Sequence, residues 1–129
     1  MTIETKTKHV ALHYSNRKQA KTFFLKILDL QFSKTFNLSK ELSNEIFNIK
    51  KEVTVDVYRN QDSYFEVFIT NIKKNPGYEH TCIEINDKEK LIRRCKEYEI
   101  KPIYVKKGDK TLLFIRDYSG NLFEIKEKQ

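Results

Sequence analysis

The chain has 129 residues, of which 39% are hydrophobic and 12% aromatic, so it has enough apolar side chains for one folded domain and is not a disordered segment. Its formal net charge of +7 comes from lysines scattered along the chain and mixed with acids, which argues against a nucleic-acid site and is compatible with a small anionic substrate. Residues 1–8 are polar and charged, and no apolar run is long enough to cross a membrane, so we expect a cytoplasmic protein with no membrane partner.

The first half of the sequence predicts a strand, a helix and three further strands. Asn16 and Gln19 form a candidate capping box, and the residues after it recur at the spacing of an amphipathic helix. The apolar positions of that helix are Ala20, Phe23, Phe24, Ile27 and Leu28. Three short runs rich in β-branched and aromatic residues follow at 31–36, 53–58 and 63–69.

The second half repeats this order of elements. Asn86 and Glu89 are the candidate cap of a second helix. Three residues of this helix lie 71 positions after apolar residues of the first helix: Leu91, Cys95 and Tyr98. Further strands are predicted near 101–105, 111–116 and 121–126. The sequence therefore predicts an α+β fold in which a βαβββ module occurs twice.

The two modules are expected at about 8–70 and 80–127 of a single domain. A linker at 71–79 contains Pro76 and Gly77 and is expected to form no helix or strand. Cys82 falls in a predicted strand and Cys95 in a predicted helix, without the spacing of a metal or redox motif. Both are therefore expected to be small buried thiols with no disulfide.

The first module is longer than the second. The histidine positions of the two modules are 71 residues apart and the glutamate positions 58 apart, so the first module carries 13 additional residues. The segment 38–48 is the best place for them. Ser39 is a candidate cap of a short helix there, with Leu42, Ile46 and Phe47 on one side.

Two histidines and two glutamates occupy matching positions of this repeat, namely His9 and His80, and Glu66 and Glu124. Strand alternation places all four on the sheet face that points away from the helices. Such a face in contact with water needs no ligand role for histidine or glutamate. Recurrence at equivalent positions nevertheless favours a site for a divalent cation such as zinc, nickel, cobalt, manganese or iron.

The chain resembles the vicinal oxygen chelate superfamily, which includes glyoxalase I, extradiol dioxygenases and the fosfomycin- and bleomycin-resistance proteins. The resemblance rests on His-Val-Ala-Leu at His9, Phe-Phe-Leu-Lys-Ile-Leu-Asp-Leu in the first helix, the strand at His80, and Arg-Asp-Tyr-Ser-Gly-Asn-Leu-Phe-Glu-Ile near the end. Two residues depart from the family pattern, because Tyr118 stands in place of a proline and Asp29 in place of a glycine.

This resemblance implies two βαβββ modules whose sheets curve around a metal cleft, in a protein that forms homodimers. Its ligand positions correspond to His9, Glu66, His80 and Glu124, a set most similar to that of glyoxalase I. Some members of the family close the site within one chain and others between two chains, and the sequence leaves both arrangements open.

The implied activity is isomerase or lyase chemistry by proton transfer on a small α-oxo or thiol-adduct substrate. A divalent ion bound to two adjacent substrate oxygens stabilises an enediolate, while a carboxylate moves the proton. Glu66 and Glu124 are both candidates for that base. The alternative is a small-molecule binding or resistance protein on the same scaffold. Addition to a phosphonate epoxide, as in fosfomycin resistance, would require His9, His80 and Glu124 but not Glu66.

Five further residues are candidates for substrate contact. Tyr64, Phe68 and Cys82 share the face of the four ligands and could line an apolar pocket. His13 lies on the same face as His9, four residues later, and a hydrogen-bonded histidine at the cleft rim is the alternative. Arg116 could hold a carboxylate or phosphate, and a surface ion pair is the alternative.

Overall fold

The computed structural model describes residues 2–73 and 75–129, so Met1 and Lys74, the latter within the predicted linker, lie outside the described part. The strands are β1 Val10–Tyr14, β2 Gln31–Leu38, β3 Val53–Arg59, β4 Tyr64–Ile69, β5 Thr81–Ile85, β6 Ile103–Lys107, β7 Lys110–Arg116 and β8 Leu122–Glu127. The helices are α1 Arg17–Lys21, which continues as a π-helical segment at Thr22–Ile27, α2 Lys40–Phe47 and α3 Lys88–Glu97.

The strands form two four-stranded sheets with the same topology. The first sheet has the order β1-β4-β3-β2 and the second the order β5-β8-β7-β6. In each sheet the histidine-bearing segment leads into a strand that pairs in parallel with the glutamate strand, and the other neighbours are antiparallel. The predicted α+β fold of two βαβββ units is therefore confirmed. Among the residues that the structure describes, no helix is long and apolar enough to cross a membrane.

The helix starts follow from side-chain caps. The Asn16 side chain accepts a hydrogen bond from the Gln19 backbone amide at 3.0 Å, as predicted. In the second module the cap is Asp87, which accepts from the Lys90 amide at 3.1 Å. The predicted cap at Asn86 is therefore wrong by one residue. Asp87, and not Asn86, lies 71 positions after Asn16, so the repeat itself indicates the observed cap.

Helix α2 occupies the predicted insertion between β2 and β3. The Ser39 hydroxyl accepts from the Leu42 backbone amide at 3.2 Å, which confirms the predicted start of this helix. It ends at Asn48, which has a left-handed φ of 58°. In the second module, β6 and β7 are joined directly by a tight turn at Gly108, whose φ is 62°.

Both modules contribute to one core, which lies on the helix-facing side of each sheet. Phe123 of β8 packs against Phe23 of the first helix, with ring centroids 5.2 Å apart, and against Phe65 of β4 at 6.2 Å. Arg17 and the fully buried Asp56 form a bidentate ion pair, with both nitrogen–oxygen distances 2.7 Å, which ties the start of α1 to β3. The modules therefore meet through their helix-facing sides.

Candidate functional site

The strand alternation predicted for the glutamates is confirmed. Glu66 lies between the buried residues Phe65 and Val67 of β4, and Glu124 has the same position between two buried residues of β8. Because successive residues of a strand point to opposite faces, both glutamates point away from the shared core. We call the side of each sheet that carries its glutamate the ligand face.

In the first module, Glu66 is paired with His9. The histidine lies one residue before β1, and its Nε2 is 3.3 Å from Oε1 of Glu66. The histidine side chain is 45% exposed and the glutamate side chain 20%. The pair is thus accessible from solvent while the carboxylate is held within the sheet.

The second module reproduces this pair. His80 lies one residue before β5, and its Nε2 is 3.5 Å from Oε1 of Glu124, with the two side chains 42% and 18% exposed. The distance and both exposures are close to those of the first pair. The duplicated fold therefore builds the same imidazole–carboxylate arrangement twice.

A backbone contact sets the proton position on His80. Its Nδ1 is 2.9 Å from the carbonyl oxygen of Tyr78. A carbonyl can only accept, so Nδ1 carries the hydrogen, and Nε2 of the neutral ring presents its lone pair towards Glu124. Two acceptors that face each other are stabilised by a cation between them, either a proton on the ring or a metal ion. Such backbone contacts are typical of metal-binding histidines.

The two glutamates differ in their cationic neighbours. Lys126 places its Nζ 3.2 Å from Oε2 of Glu124. Within the described residues, Glu66 has no ion pair with a lysine or arginine, and His9 is its ion-pair partner. Lys126 is not among the residues predicted for the site. Strand alternation would have found it, because residues two apart on a strand share a face.

The four predicted ligands do not meet within one chain. Across residues 2–73 and 75–129, no three side chains of histidine, cysteine, aspartate or glutamate come together in a group that could hold a metal ion. The reason is the packing of the modules, since each turns its helix-facing side towards the common core and its ligand face away from it. A single chain contains two half-sites, His9–Glu66 and His80–Glu124.

Tyr64 lies beside the first half-site, with its ring centroid 6.0 Å from that of His9. The guanidinium of Arg59 stacks over the same tyrosine ring at 5.3 Å. This contact leaves one side of the His9–Glu66 pair bordered by an aromatic ring, in agreement with the expectation that Tyr64 shares the ligand face.

Phe68 and His13 lie further along the ligand face of the first sheet, opposite each other in β4 and β1. Both line a cavity of about 770 Å³ that also has walls from α2 and from the segment around His80. Phe47 of α2 packs edge-to-face on Phe68, with ring centroids 5.6 Å apart. We call this space the α2 cavity. Its α2 wall was not among the predicted substrate contacts, although the length difference between the modules marks that segment.

Cys82 is exposed, so the expectation that both cysteines are buried is wrong for this one, whereas Cys95 is fully buried. The physical reason is that Cys82 lies on the ligand face of β5, an edge strand of its sheet, and not on the side that packs on the core. Cys82 lies opposite Glu124 in the paired strands. Partial desolvation, and then the Glu124 carboxylate, raise the pKa of its thiol. Both cysteines are free.

The turn between β7 and β8 carries Arg116, and this side chain braces the turn. Its Nη1 donates to the carbonyl of Gly120 at 2.9 Å. The buried Asp117 accepts from the backbone amide of Asn121 at 2.8 Å, and the Asn121 side chain donates to the carbonyl of His13 at 3.1 Å. Burial raises the pKa of the Asp117 carboxyl, and the hydrogen bonds that it accepts act in the opposite direction. The motif therefore docks the second module on β1 of the first.

Tyr118 has a structural role in this turn that a proline could not have. Its hydroxyl donates a hydrogen bond to the backbone carbonyl of Tyr98, the residue that ends α3. The last carbonyls of a helix have no partner within the helix. Tyr118, which stands where the family has a proline, therefore satisfies a backbone carbonyl at the end of α3.

No protein-family model matches the sequence, and a comparison with curated proteins also finds no match. Solved structures do match. A glyoxalase family protein from Bacillus cereus is similar over 98% of this chain and 95% of its own, with a TM-score of 0.75 and 15% identity. The fosfomycin resistance protein FosX from Mesorhizobium loti covers 98% and 94%, with a TM-score of 0.71 and 10% identity.

A variant of the FosX protein from Listeria monocytogenes, solved as a complex with Mn(II) and 1S,2S-dihydroxypropylphosphonic acid, covers 98% of this chain and 95% of its own. Its TM-score is 0.73 and the identity is 11%. The FosX and glyoxalase family proteins belong to the vicinal oxygen chelate superfamily. The chain therefore has the fold of that superfamily, as its motifs predicted.

Proposed function

We propose that this chain, which has the vicinal oxygen chelate fold, is a divalent-metal-dependent enzyme that moves a proton between adjacent carbons of a small anionic substrate. The single observation that carries the proposal is the duplicated histidine–glutamate pair, with imidazole Nε2 and carboxylate Oε1 3.3 Å apart in one module and 3.5 Å in the other. Two nitrogen and two oxygen donors suit a borderline divalent cation.

The metal site is completed by two chains in this proposal. Each half-site supplies two donors, fewer than the three protein ligands of a typical catalytic metal site. A homodimer that joins His9 and Glu66 of one chain with His80 and Glu124 of another supplies four. The contact of His80 with the Tyr78 carbonyl supports the fit, since it turns the Nε2 lone pair towards the position of the cation. The cation would stabilise negative charge that develops on substrate oxygens.

Glu66 is the proposed base. The ammonium of Lys126, 3.2 Å from Oε2 of Glu124, restrains that carboxylate and occupies one of its oxygens. Glu66 has no such lysine contact among the described residues, so its carboxylate can accept a proton from the substrate carbon next to a carbonyl and return it to the neighbouring carbon. Glu124 acts as the permanent ligand.

Replacement of Glu66 tests its assignment as the base. Protein purified without chelators is analysed for transition metals, and proton exchange is followed by deuterium incorporation into the adduct of a 2-oxoaldehyde with a cellular thiol. We expect stoichiometric metal in the native protein and a loss of exchange of at least about 100-fold in Glu66→Gln, because general base catalysis contributes that much. Glu97→Gln, on the exposed side of α3, is the matched control and should retain both metal and exchange.

A second candidate is addition to a phosphonate epoxide, which is favoured by the similarity to FosX structures, one of them with Mn(II) and a dihydroxypropylphosphonic acid. That reaction requires His9, His80 and Glu124 but not Glu66. Full activity of Glu66→Gln, together with bound metal, would exclude the proton-transfer proposal in favour of this one. Native protein without any stoichiometric metal would instead indicate a small-molecule binding protein.

A further inference from the structure

The α2 cavity is bounded by both modules of one chain. Its lining includes His13 of β1, Phe68 of β4, Ser43 and Phe47 of α2, and His80 before β5. Most of the wall is apolar. His80 belongs both to this lining and to the His80–Glu124 pair. The cavity therefore adjoins a half-site and extends away from it under α2.

Helix α2 is the part of the first module that the second module lacks. Its inward side is formed by Ser43, which is 2% exposed, and by Phe47, whose ring meets Phe68 on the ligand face. Leu42 and Ile46 are exposed and do not line the cavity, so the prediction that they share one side of the helix with Phe47 is wrong. Residues four apart on a helix share a face, so Ser43 and Phe47 turn together towards the cavity.

We infer that the α2 cavity binds the apolar body of the substrate, and that this substrate is an organic anion with an aromatic or branched aliphatic group. This inference rests on the proposed function for the reacting end of the substrate. It adds to that function the class of molecule that is recognised and assigns α2 as the element that selects it.

The size of the cavity supports a large substrate. Pockets of about 300–1,000 Å³ enclose ligands of the size of a drug molecule, and this cavity of about 770 Å³ lies within that range. A substrate with a single methyl group next to its carbonyl would leave most of the apolar wall unfilled. An aromatic ring between Phe47 and Phe68 would replace water along that wall and meet two aromatic partners.

The charged groups of the lining are Lys51, beyond the end of α2, and two carboxylates, Glu52 and Glu79. They give the cavity no excess of positive charge, so the cavity itself does not select an anion. The anionic end of the substrate therefore belongs with its reacting group at the His80–Glu124 half-site, and the cavity receives the apolar body.

Binding of 1-anilinonaphthalene-8-sulfonate, an organic anion with an aromatic body, tests the inference without any need for catalysis. The dye is titrated into the native protein and into Phe47→Ala and Leu42→Ala variants, and its fluorescence is measured. Leu42→Ala is the matched control, because both residues lie on α2 and are about half exposed, and only Phe47 lines the cavity. We expect saturable binding of one dye per chain, weakened on the order of tenfold by Phe47→Ala and unchanged by Leu42→Ala.

Substrate preference gives the second measurement. The ratio of kcat/KM for a phenylglyoxal thiol adduct over the methylglyoxal adduct should exceed one and should fall on the order of tenfold in Phe47→Ala. The ratio should stay constant in Leu42→Ala. Equal effects of the two variants on dye binding would overturn the inference, because they would indicate a general apolar surface. So would a dimer that Phe47→Ala dissociates and that excludes the dye, since the cavity would then be a subunit interface.

The outcomes also separate this inference from the proposed function. Dye binding that depends on Phe47, in a protein without metal or exchange activity, would support the inferred ligand class and exclude the proposed enzymatic activity. Proton exchange on the methylglyoxal adduct without saturable dye binding would support the proposed activity and contradict the inference about the substrate class.

Discussion

At the scale of single residues, two helix ends place an acidic residue in a backbone conformation that most side chains disfavour. Asp29 after the first helix has a φ of 59°, and Glu99 after α3 has a φ of 64°. Aspartate enters the left-handed region more readily than glutamate, whose longer side chain offers no local hydrogen bond in compensation. The departure from glycine at Asp29 is therefore the milder of the two, and Glu99 is the strained one.

Glu99→Gly should raise the free energy of unfolding by about 0.5–1 kcal/mol, because the relief of left-handed strain exceeds the added freedom of the unfolded chain. Urea denaturation measures this change. Arg93→Gly, at an exposed position in the middle of α3, is the control and should lower the stability by about 1 kcal/mol. A destabilised Glu99→Gly protein would show that the side chain at this position contributes more than its backbone costs.

At the scale of elements, α3 attaches the second module to the core through a titratable residue. Leu91 and Cys95 are the buried residues of this helix, and Cys95 is fully buried. Desolvation raises the pKa of the Cys95 thiol from 9.0 to about 11. The unfolded chain therefore loses this proton before the folded chain does, so the contribution of the group to stability is complete below pH 9 and is lost as the pH rises to about 11.

Cys95→Ala should remove this part of the pH dependence. We expect the stability difference between native protein and variant to shrink by up to about 2 kcal/mol between pH 8 and pH 11. Urea denaturation at several pH values measures both proteins, and the comparison cancels the contribution of Tyr58, whose pKa burial raises to about 12. Identical pH profiles of the two proteins would contradict the assignment.

At the scale of the whole molecule, the shared core decides where the proposed metal site could form. Phe23, Phe65 and Phe123 bring the helix-facing sides of both modules together. The ligand face of each module therefore points away from this core, and each chain carries two half-sites. Of the two arrangements that the sequence leaves open, the proposal accordingly uses the one between two chains.

Mixed dimers test that arrangement. One variant combines His9→Ala with Glu66→Gln and the other His80→Ala with Glu124→Gln, so each alone should bind no metal. After unfolding and joint refolding, half of the dimers contain one chain of each kind, and one of their two sites has four native ligands. We expect about a quarter of the native metal content in the mixture. No recovery of metal in mixtures that contain heterodimers by mass spectrometry would exclude a site formed between two chains.

Local patterns were sufficient for most of the fold. Strand alternation predicted the faces of Glu66 and Glu124, and the repeat offset predicted both modules and the extra segment that became α2. The error at Asn86 arose because two adjacent residues were both good caps, and the offset of 71 from Asn16, which distinguishes them, was not applied. The error at Cys82 arose because alternation states which face a residue occupies and not whether another element covers it.

The sequence by itself determined the two modules and the sheet face on which Glu66 and Glu124 lie, since these depend on residues near one another in a strand or on the repeat. The tertiary structure alone decided that the half-sites of one chain stay apart and that α2 forms one wall of a cavity over Phe68. These features depend on how separate elements pack on a common core, and packing between distant segments leaves no periodic pattern in the chain.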